Sequence, residues 1–246
     1  MRPTRLDPHG TAAAYTARMA PQTTGTPAPE VPSRRQQYSA STKAALVDVA
    51  EGLFAEHGYA ATSLDQVVAG AQVTKGALYH HFSGKQALFT AVFVRVEGTA
   101  GRAVRSALDR ESDPWVKAHA GLRAFLDVVQ RPDYRRIVIQ DGPSVLDHER
   151  FREQEQRSTF ATVDEIVRGV LTDDGRAIDE EMLLTFTRIF FGALSSAGES
   201  VATSDDPAAA AARVESAIAY ILAALQALVA AGAVPSGPVP GSVPGE

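Results

Sequence analysis

Cysteine is absent from the 246 residues of this chain. Without thiols there is no disulfide framework, no thiolate metal site and no cysteine nucleophile. Gly, Ser or charged residues interrupt the longest apolar stretches before the roughly 18 to 20 residues that a membrane span needs, so no transmembrane helix is expected. The N-terminus also lacks the apolar core of a secretory signal. We therefore predict a cytoplasmic protein with no membrane partner.

Catalytic motifs are missing from the sequence as well. It contains no HExxH, GxSxG, Walker loop or GxGxxG pattern. Acidic residues such as Glu149, Glu153 and Glu155 alternate with arginines, as on a solvated helix face. No catalytic residue, metal ligand or cofactor is assigned, and the chain is predicted not to be an enzyme. An enzyme stays open as one alternative.

The two ends of the chain have low-complexity compositions. Residues 1–40 are rich in Ala, Thr, Pro and Gln, and residues 233–246 are rich in Pro and Gly. Segments of this kind bury too little apolar surface to offset the entropy lost on ordering. We predict a disordered arm over 1–40 and a flexible tail over 233–246, and Met19 is an alternative translation start to Met1.

The net charge of −5 is unevenly distributed along the chain. Residues 34–95 carry six basic and four acidic side chains, a net +2, whereas residues 96–246 carry a net −8. A surface for an anionic partner is therefore expected in the first third, with Arg34, Arg35 and Lys43 at its entrance. The alternative is that these charges are only solvated.

Helical periodicity dominates the first third after the arm. Apolar residues at 3.6-residue spacing predict a helix from Ser41 to the stop at His57-Gly58. Thr62 and Ser63 supply N-cap oxygens for a short helix over 64–70, and a tight turn leads to a third helix over 73–82. Two short helices joined in this way form a helix-turn-helix.

The remaining sequence also predicts helices and no strand, so the fold class is all-α. A domain over 91–232 would follow the three-helix unit at 41–90. Its predicted segments are a connecting helix over 85–108, helices over 114–130 and 133–140, a long helix capped by Ser144 and ending at Thr172, and two apolar helices over 179–201 and 207–231.

The uninterrupted segment TSLDQVVAGAQVTKGALYHHFSGKQALF, residues 62–89, resembles the DNA-binding signature of the tetracycline-repressor (TetR) family. The resemblance implies a helix-turn-helix DNA-binding domain over 41–90 and a larger helical ligand-binding and dimerisation domain over 91–232. It also implies a homodimeric transcriptional repressor that is released from a palindromic double-stranded operator by a small-molecule effector. The matching positions are Thr62, Ala69-Gly70-Ala71, Val73, Gly76, Leu78-Tyr79, Phe82, Lys85 and Leu88-Phe89.

A helix in the major groove must offer short side chains to base edges and longer ones to phosphates. Lys75 suits a guanine or a nearby phosphate, and Ala77 suits a thymine methyl group. Gly76 would let the backbone approach DNA, although a packing gap is the alternative. In similar proteins the tyrosine at Tyr79 binds a backbone phosphate. The candidate DNA-binding residues are Thr62, Ser63, Thr74, Lys75, Gly76, Ala77, Tyr79, His80, His81 and Lys85.

The effector site is implied by the resemblance, since helical bundles commonly hold ligands between their helices. Each candidate could instead be a core or surface residue. Arg188 is a further polar group that could orient an effector. The candidates are Trp115, His119, Phe125, Gln140, His148, Phe160, Phe186 and Phe190.

The last two helices are predicted to make the dimer, because both are too apolar for one chain to cover. The apolar positions are Leu183, Phe186, Phe190, Leu194 and Val201 in the first, and a stripe from Val214 to Val229 in the second.

Besides a DNA-binding regulator and an enzyme, a third possible function is a helix-turn-helix used only for protein contact. It would leave Lys75, Tyr79 and Lys85 with no reason to share one face.

Overall fold

The computed structural model describes residues 34–146, 159–172 and 178–233. Within these ranges the regular structure is helical and no strand occurs, so the all-α prediction is confirmed. The α-helices are α1 (Arg34–Ala61), α2 (Leu64–Gly70), α3 (Lys75–His81), α4 (Lys85–Leu108), α5 (Pro114–Val129), α6 (Gly142–Val145), α7 (Ala161–Thr172), α8 (Glu180–Ala202) and α9 (Pro207–Ala230), and a π-helix spans Tyr134–Asp141.

Helix α1 begins at Arg34, seven residues before the predicted start at Ser41. Residues 34–40 therefore belong to a helix and not to a disordered arm. The Ser41 hydroxyl donates to the Tyr38 carbonyl at 2.9 Å, so it bonds within the helix and does not cap it. At Gly58 the backbone turns to φ 78° and ψ 170°, a conformation essentially restricted to glycine, and the helix kinks at the predicted stop.

The first four helices pack around a shared apolar core. Leu46 and Phe54 of α1, Leu78 of α3 and Phe89 of α4 are all fully buried, and the rings of Phe54 and Phe89 meet edge to face at 5.2 Å. Arg95 ties α4 to α1, because its Nε donates to Glu51 at 2.7 Å and its Nη2 to the Val47 carbonyl at 3.0 Å. This packing holds α2 and α3 as a fixed unit.

Helix α4 continues from this unit into the second half of the molecule. The core extends along it through Phe93, Val96 and Ala100 to the buried side chains of α5. Helix α5 starts as the sequence predicts: Asp113 accepts from the amides of Trp115 and Val116 at 2.8 and 2.9 Å, and Pro114 is the first helical residue.

The predicted short helix over 133–140 is a π-helix, Tyr134–Asp141. Its wide turns come with contacts to α1: the Tyr59 amide donates to Asp141 at 2.7 Å, and Arg136 lies against Gly58. Ser144 does not cap a long helix. It lies within α6, and its hydroxyl donates to the Asp141 carbonyl at 2.9 Å, because the chain there is already turning off the π-helix. Residues 147–158 lie outside the described residues.

Polar side chains join α7 to α8. Arg168 bonds Asp164 on its own helix at 2.7 Å and Glu180 on the next at 3.0 Å, and the buried Thr187 hydroxyl donates to Asp164 at 3.0 Å. The hydrogen bond from Arg168 holds the pKa of Asp164 below its usual range, with the bond from Thr187 acting in the same direction. This network fixes the start of α8 against α7.

Helix α9 is long and apolar enough to cross a membrane by length and composition, with a mean hydropathy of 1.5 over 18 residues. The apolar run over residues 217–231 is nevertheless bounded by Ser216 and Gly232, so it ends before the roughly 18 to 20 residues of a membrane span, as the sequence predicts. Only 17% of the 18-residue window is buried inside the chain. Leu222 is buried, whereas Tyr220, Ile221 and Leu228 are exposed, together with Ile189 of α8. The apolar face that α9 exposes to solvent is thus distinct from the face that α9 packs against the rest of the chain.

Candidate functional site

Local capping sets the geometry of α2 and α3. Ser63 caps α2 in a capping box, in which the Gln66 amide donates to Ser63 Oγ at 3.2 Å and the Ser63 amide donates to Gln66 Oε1 at 2.7 Å. Thr74 caps α3 by accepting from the Ala77 amide at 3.2 Å. Both helix starts thus carry the side-chain oxygens that such ends require. The predicted helix-turn-helix is present, with α3 within two residues of its expected bounds.

Helix α3 presents one polar surface to solvent. Its Leu78 is fully buried, while Lys75, Gly76, Tyr79 and His80 are exposed. Tyr79 keeps 59% of its surface accessible. These donors lie together on the outer side of α3, as a surface that binds a polyanion requires.

Lys75 is already engaged by a carboxylate. Its Nζ lies 2.7 Å from Asp65 Oδ1 and 3.0 Å from Oδ2, and this hydrogen bond, with the charge of Asp65, raises the lysine pKa. Asp65 is in the first turn of α2. Sequence reasoning missed Asp65, since a spacing of ten residues across a turn gives no periodic signal for the contact.

Gly76 borders open space. A Cβ built on it would meet only Thr74 Oγ1, at 3.8 Å, which is ordinary contact. The packing gap considered as an alternative is therefore not present in the structure. The glycine instead leaves the α3 backbone bare on its exposed side.

Thr62 does not fit its predicted role in DNA binding. It is only 2% exposed, and its hydroxyl donates to the carbonyls of Gly58 at 2.9 Å and Leu53 at 3.2 Å. The hydroxyl satisfies carbonyls left over where α1 kinks, which turns it away from solvent. Ser63, the actual cap, is exposed.

Lys85 and His81 are both half-buried. The Lys85 amine donates to the Ala60 carbonyl at 3.3 Å and lies 4.3 Å from the centre of the Tyr59 ring. Burial lowers the pKa of Lys85, while the charge of Asp141 acts in the opposite direction. Lys85 thus supports the end of α1 as well as standing at the start of α4.

The pKa of His81 is also lowered, first by burial and then by the positive charges of His80 and Lys43. The shift favours the neutral imidazole, which keeps one N–H donor.

An apolar cavity of about 140 Å³ lies between α4, α5, α7, α8 and α9. Of the predicted effector residues, Phe125 and Phe190 line it. Its described polar lining consists of Glu97, Tyr134, Thr159 and Thr162, none of which the sequence analysis selected. Glu97 is only 4% exposed. An acidic residue within the buried stripe of α4 was the signal that could have found it.

The other predicted effector residues do not line this cavity. Phe160 meets the ring of Phe191 at 5.5 Å, and the exposed Gln140 accepts from Arg136 at 3.4 Å. Trp115 and Phe186 pack against apolar clusters that include lining residues, Val170 for Trp115 and Val167 for Phe186. His119 is half-buried outside the lining, and Arg188 is exposed. His148 lies outside the described residues.

The structure thus belongs to a class of two-part helical proteins, in which a capped helix-turn-helix precedes a helical bundle with an apolar cavity. Comparison with known proteins identifies the family. Residues 46–92 match the family "Bacterial regulatory proteins, tetR family", and residues 115–235 match "Tetracyclin repressor-like, C-terminal domain". The chain belongs to the TetR family. This is a family of regulators and not of enzymes.

Individual relatives match in part. The chain is 44% identical over 61 residues to the transposon Tn10 TetC protein of Escherichia coli, covering 25% of the chain and 31% of TetC. It is 34% identical over 98 residues to the transcriptional activator FasR of Mycolicibacterium smegmatis, covering 39% of the chain and 45% of FasR. The chain thus spans less than half the length of these two relatives. The repressor KstR2 of M. smegmatis is 27% identical over 169 residues, 65% of the chain and 79% of KstR2.

Solved structures share the fold. A TetR-family regulator from Pectobacterium atrosepticum superposes with a TM-score of 0.66 at 25% identity, covering 79% of this chain and 97% of that one. RolR, solved in complex with resorcinol, gives a TM-score of 0.56 at 21% identity, covering 82% and 99%. At this identity the RolR comparison establishes only that the fold is shared.

Proposed function

We propose that this chain is a homodimeric transcriptional repressor that binds a palindromic DNA operator through α3 and is released from it by a small apolar or amphipathic effector. The observation that carries the proposal is the outer surface of α3. There Lys75, Tyr79 and His80 are exposed beside a glycine with open space above it. A helix with donors and a bare backbone on one side suits the major groove, where base edges and phosphates both accept hydrogen bonds.

Within this surface the residues have different tasks. Lys75 is assigned to base edges, because it is the first residue of α3, and the N-terminal residues of a recognition helix reach the bases. Tyr79 and His80 are assigned to phosphates, as is Ser63 at the exposed start of α2. Lys85 is also assigned to a phosphate. Its amine donates to the Ala60 carbonyl, so a phosphate would have to compete with that carbonyl for the amine. A helix-turn-helix used for protein contact alone would not need these donors together.

The cavity supports a small-molecule effector. Its lining is almost entirely aliphatic and aromatic, so the hydrophobic effect favours an apolar ligand body, and a few polar groups such as Glu97 and Thr162 would orient it. The cavity is also connected to the DNA-binding unit through the π-helix. Tyr134 lines the cavity, and Asp141 at the other end of the π-helix accepts from the Tyr59 amide. Ligand can shift DNA affinity only by differing in affinity for two arrangements of this connection.

The uncovered face of α9 supports the dimer. Tyr220 is 79% exposed and Leu228 is 50% exposed, and apolar surface of this kind is normally covered by a partner. In a twofold dimer the same patch is used by both copies. The two recognition helices would then lie about one DNA turn apart, roughly 34–36 Å, which requires a palindromic site.

Fluorescence anisotropy with a labelled duplex from the gene's own upstream region tests DNA binding. Wild-type protein should bind this duplex more tightly than a shuffled one, and Lys75→Ala should narrow that difference. Lys117→Ala removes a lysine from α5 and is the matched control, with no expected change. Equal affinity of the wild type for both duplexes would overturn sequence-specific binding, and equal loss for Lys75→Ala on both would overturn its role in reading bases.

A further inference from the structure

The ion pair between Asp65 and Lys75 is not needed to hold the helix-turn-helix together. Their side chains are 69% and 65% exposed, and an exposed pair contributes little to stability. The contact between α2 and α3 depends instead on the buried Val67 and Leu78 and on the two helix caps. The pair therefore calls for a reason other than folding.

Asp65 is also unfavourably placed for a residue of a DNA-binding surface. Other described acids near α1 have partners away from α3: Asp48 and Glu51 both bond Arg95 on α4. Asp65 instead contacts the recognition helix itself, where its charge repels phosphates. The Asp65 charge lowers the affinity for DNA of any sequence, unless pairing with Asp65 improves the contact that Lys75 makes with DNA.

We propose that Asp65 is a specificity-determining residue, which holds Lys75 for guanine contact and cancels its attraction for phosphates on other DNA. This inference rests on the proposed DNA-binding function. A lysine ammonium has three donors, so Lys75 can keep its bond to Asp65 and still donate to the O6 and N7 acceptors of a guanine. On non-operator DNA the pair has no net charge and adds nothing to the sequence-independent term that neutralises phosphates.

The pair also limits where the lysine amine can go. A free lysine on a flexible stem reaches phosphates in many geometries, and the bond to Asp65, 2.7 Å long, biases the amine against them. Asp65 is thus a positioning residue that acts through Lys75. Asp65 raises the preference for the operator mainly by weakening the complexes with other DNA sequences, and to a lesser extent by strengthening the operator complex.

The experiment is a salt titration of full-length wild type, Asp65→Asn and Asp48→Asn on the upstream duplex and on a shuffled duplex. Asp48→Asn is the matched control, since Asp48 is 67% exposed, is also ion-paired and gives the same change in net charge. Asp65→Asn should bind shuffled DNA more tightly. The slope of its log affinity against log salt concentration should be steeper by about 0.9, so its affinity should fall by an additional factor of roughly 3.5 between 50 and 200 mM salt. Its preference for the upstream duplex should fall several-fold, and Asp65→Glu should restore it.

In the Lys75→Ala background, Asp65→Asn should leave the preference unchanged, because the side chain through which it acts is gone. The inference is overturned if Asp65→Asn and Asp48→Asn change both affinities alike, since net charge alone would then explain the result. It is equally overturned if Asp65→Asn keeps the wild-type preference. Failure of the proposed function itself would be visible in the wild type, as a lack of preference between the duplexes.

Discussion

Replacing Gly76 with alanine should stabilise the protein and weaken its binding to DNA. The structure leaves open space at this position, with the nearest atom 3.8 Å from a built Cβ, so the methyl group meets no obstacle in the free protein. Glycine within a helix is less stable than alanine by about 0.5–1 kcal/mol. For a chain of this size that corresponds to a rise of roughly 1–4 °C in Tm.

In the DNA complex the same methyl group would stand between the α3 backbone and the groove. Forcing a methyl group into a close-packed contact costs about 1–3 kcal/mol. The operator Kd should therefore rise by roughly 5- to 150-fold. Stability and affinity are thus expected to move in opposite directions, which distinguishes a functional glycine from a structural one.

Gly52→Ala is the matched control for this substitution. Gly52 is an exposed glycine of α1 with nothing within 4 Å of a built Cβ. It should raise Tm by a similar amount and leave operator affinity unchanged. Thermal unfolding and anisotropy titration measure the two effects. A Gly76→Ala protein that binds operator as the wild type does would refute close approach of this backbone to DNA, and a lower Tm would refute the open space.

Three further predictions concern the cavity, the dimer and pH. Val104→Phe should fill part of the cavity and abolish the rise in Tm caused by any effector found in a ligand screen, while leaving operator affinity intact; persistence of that rise would place the effector elsewhere. Tyr220→Glu combined with Leu228→Glu should yield monomers in sedimentation that bind the full palindrome poorly, because paired copies would bury like charges; a monomer with wild-type affinity would separate dimerisation from recognition. His81 has a folded pKa below its usual 6.5, so the unfolded state binds more protons, and stability should fall as pH drops through 6.5 until the folded pKa is passed. Urea unfolding across this range should show a weaker pH dependence for His81→Gln, and an unchanged dependence would assign the effect to other groups.

Features with a local chemical signal could be predicted from the sequence. Ser63 and Asp113 each cap a helix by accepting from backbone amides, at points where the sequence predicts a helix start. The exposed face of α3 follows from the same periodicity once Leu78 is buried. These features depend on residues within a few positions of one another, which a sequence displays directly.

Features fixed by distant contacts could not be predicted. The π-helix has one extra residue per turn, and its end is held by the Tyr59 amide on Asp141, 82 residues away in sequence. Thr62 looked like a cap, but the kink at Gly58 turns its hydroxyl inward. Helix periodicity also assigned the stripe from Val214 to Val229 to the dimer face. Leu222 and Leu225 of that stripe line the cavity instead, because α9 presents Tyr220 and Leu228 outward.

Hydroxyl-radical footprinting on the upstream DNA tests most directly whether two copies of the protein protect the backbone of a palindrome one helical turn apart. Wild-type protein should protect two patches related by twofold symmetry, with centres about one helical turn, roughly 34–36 Å, apart. Lys75→Ala should lose both patches at concentrations where the wild type is saturated. Protection of a single patch, or of DNA without regard to sequence, would contradict the proposed mode of binding.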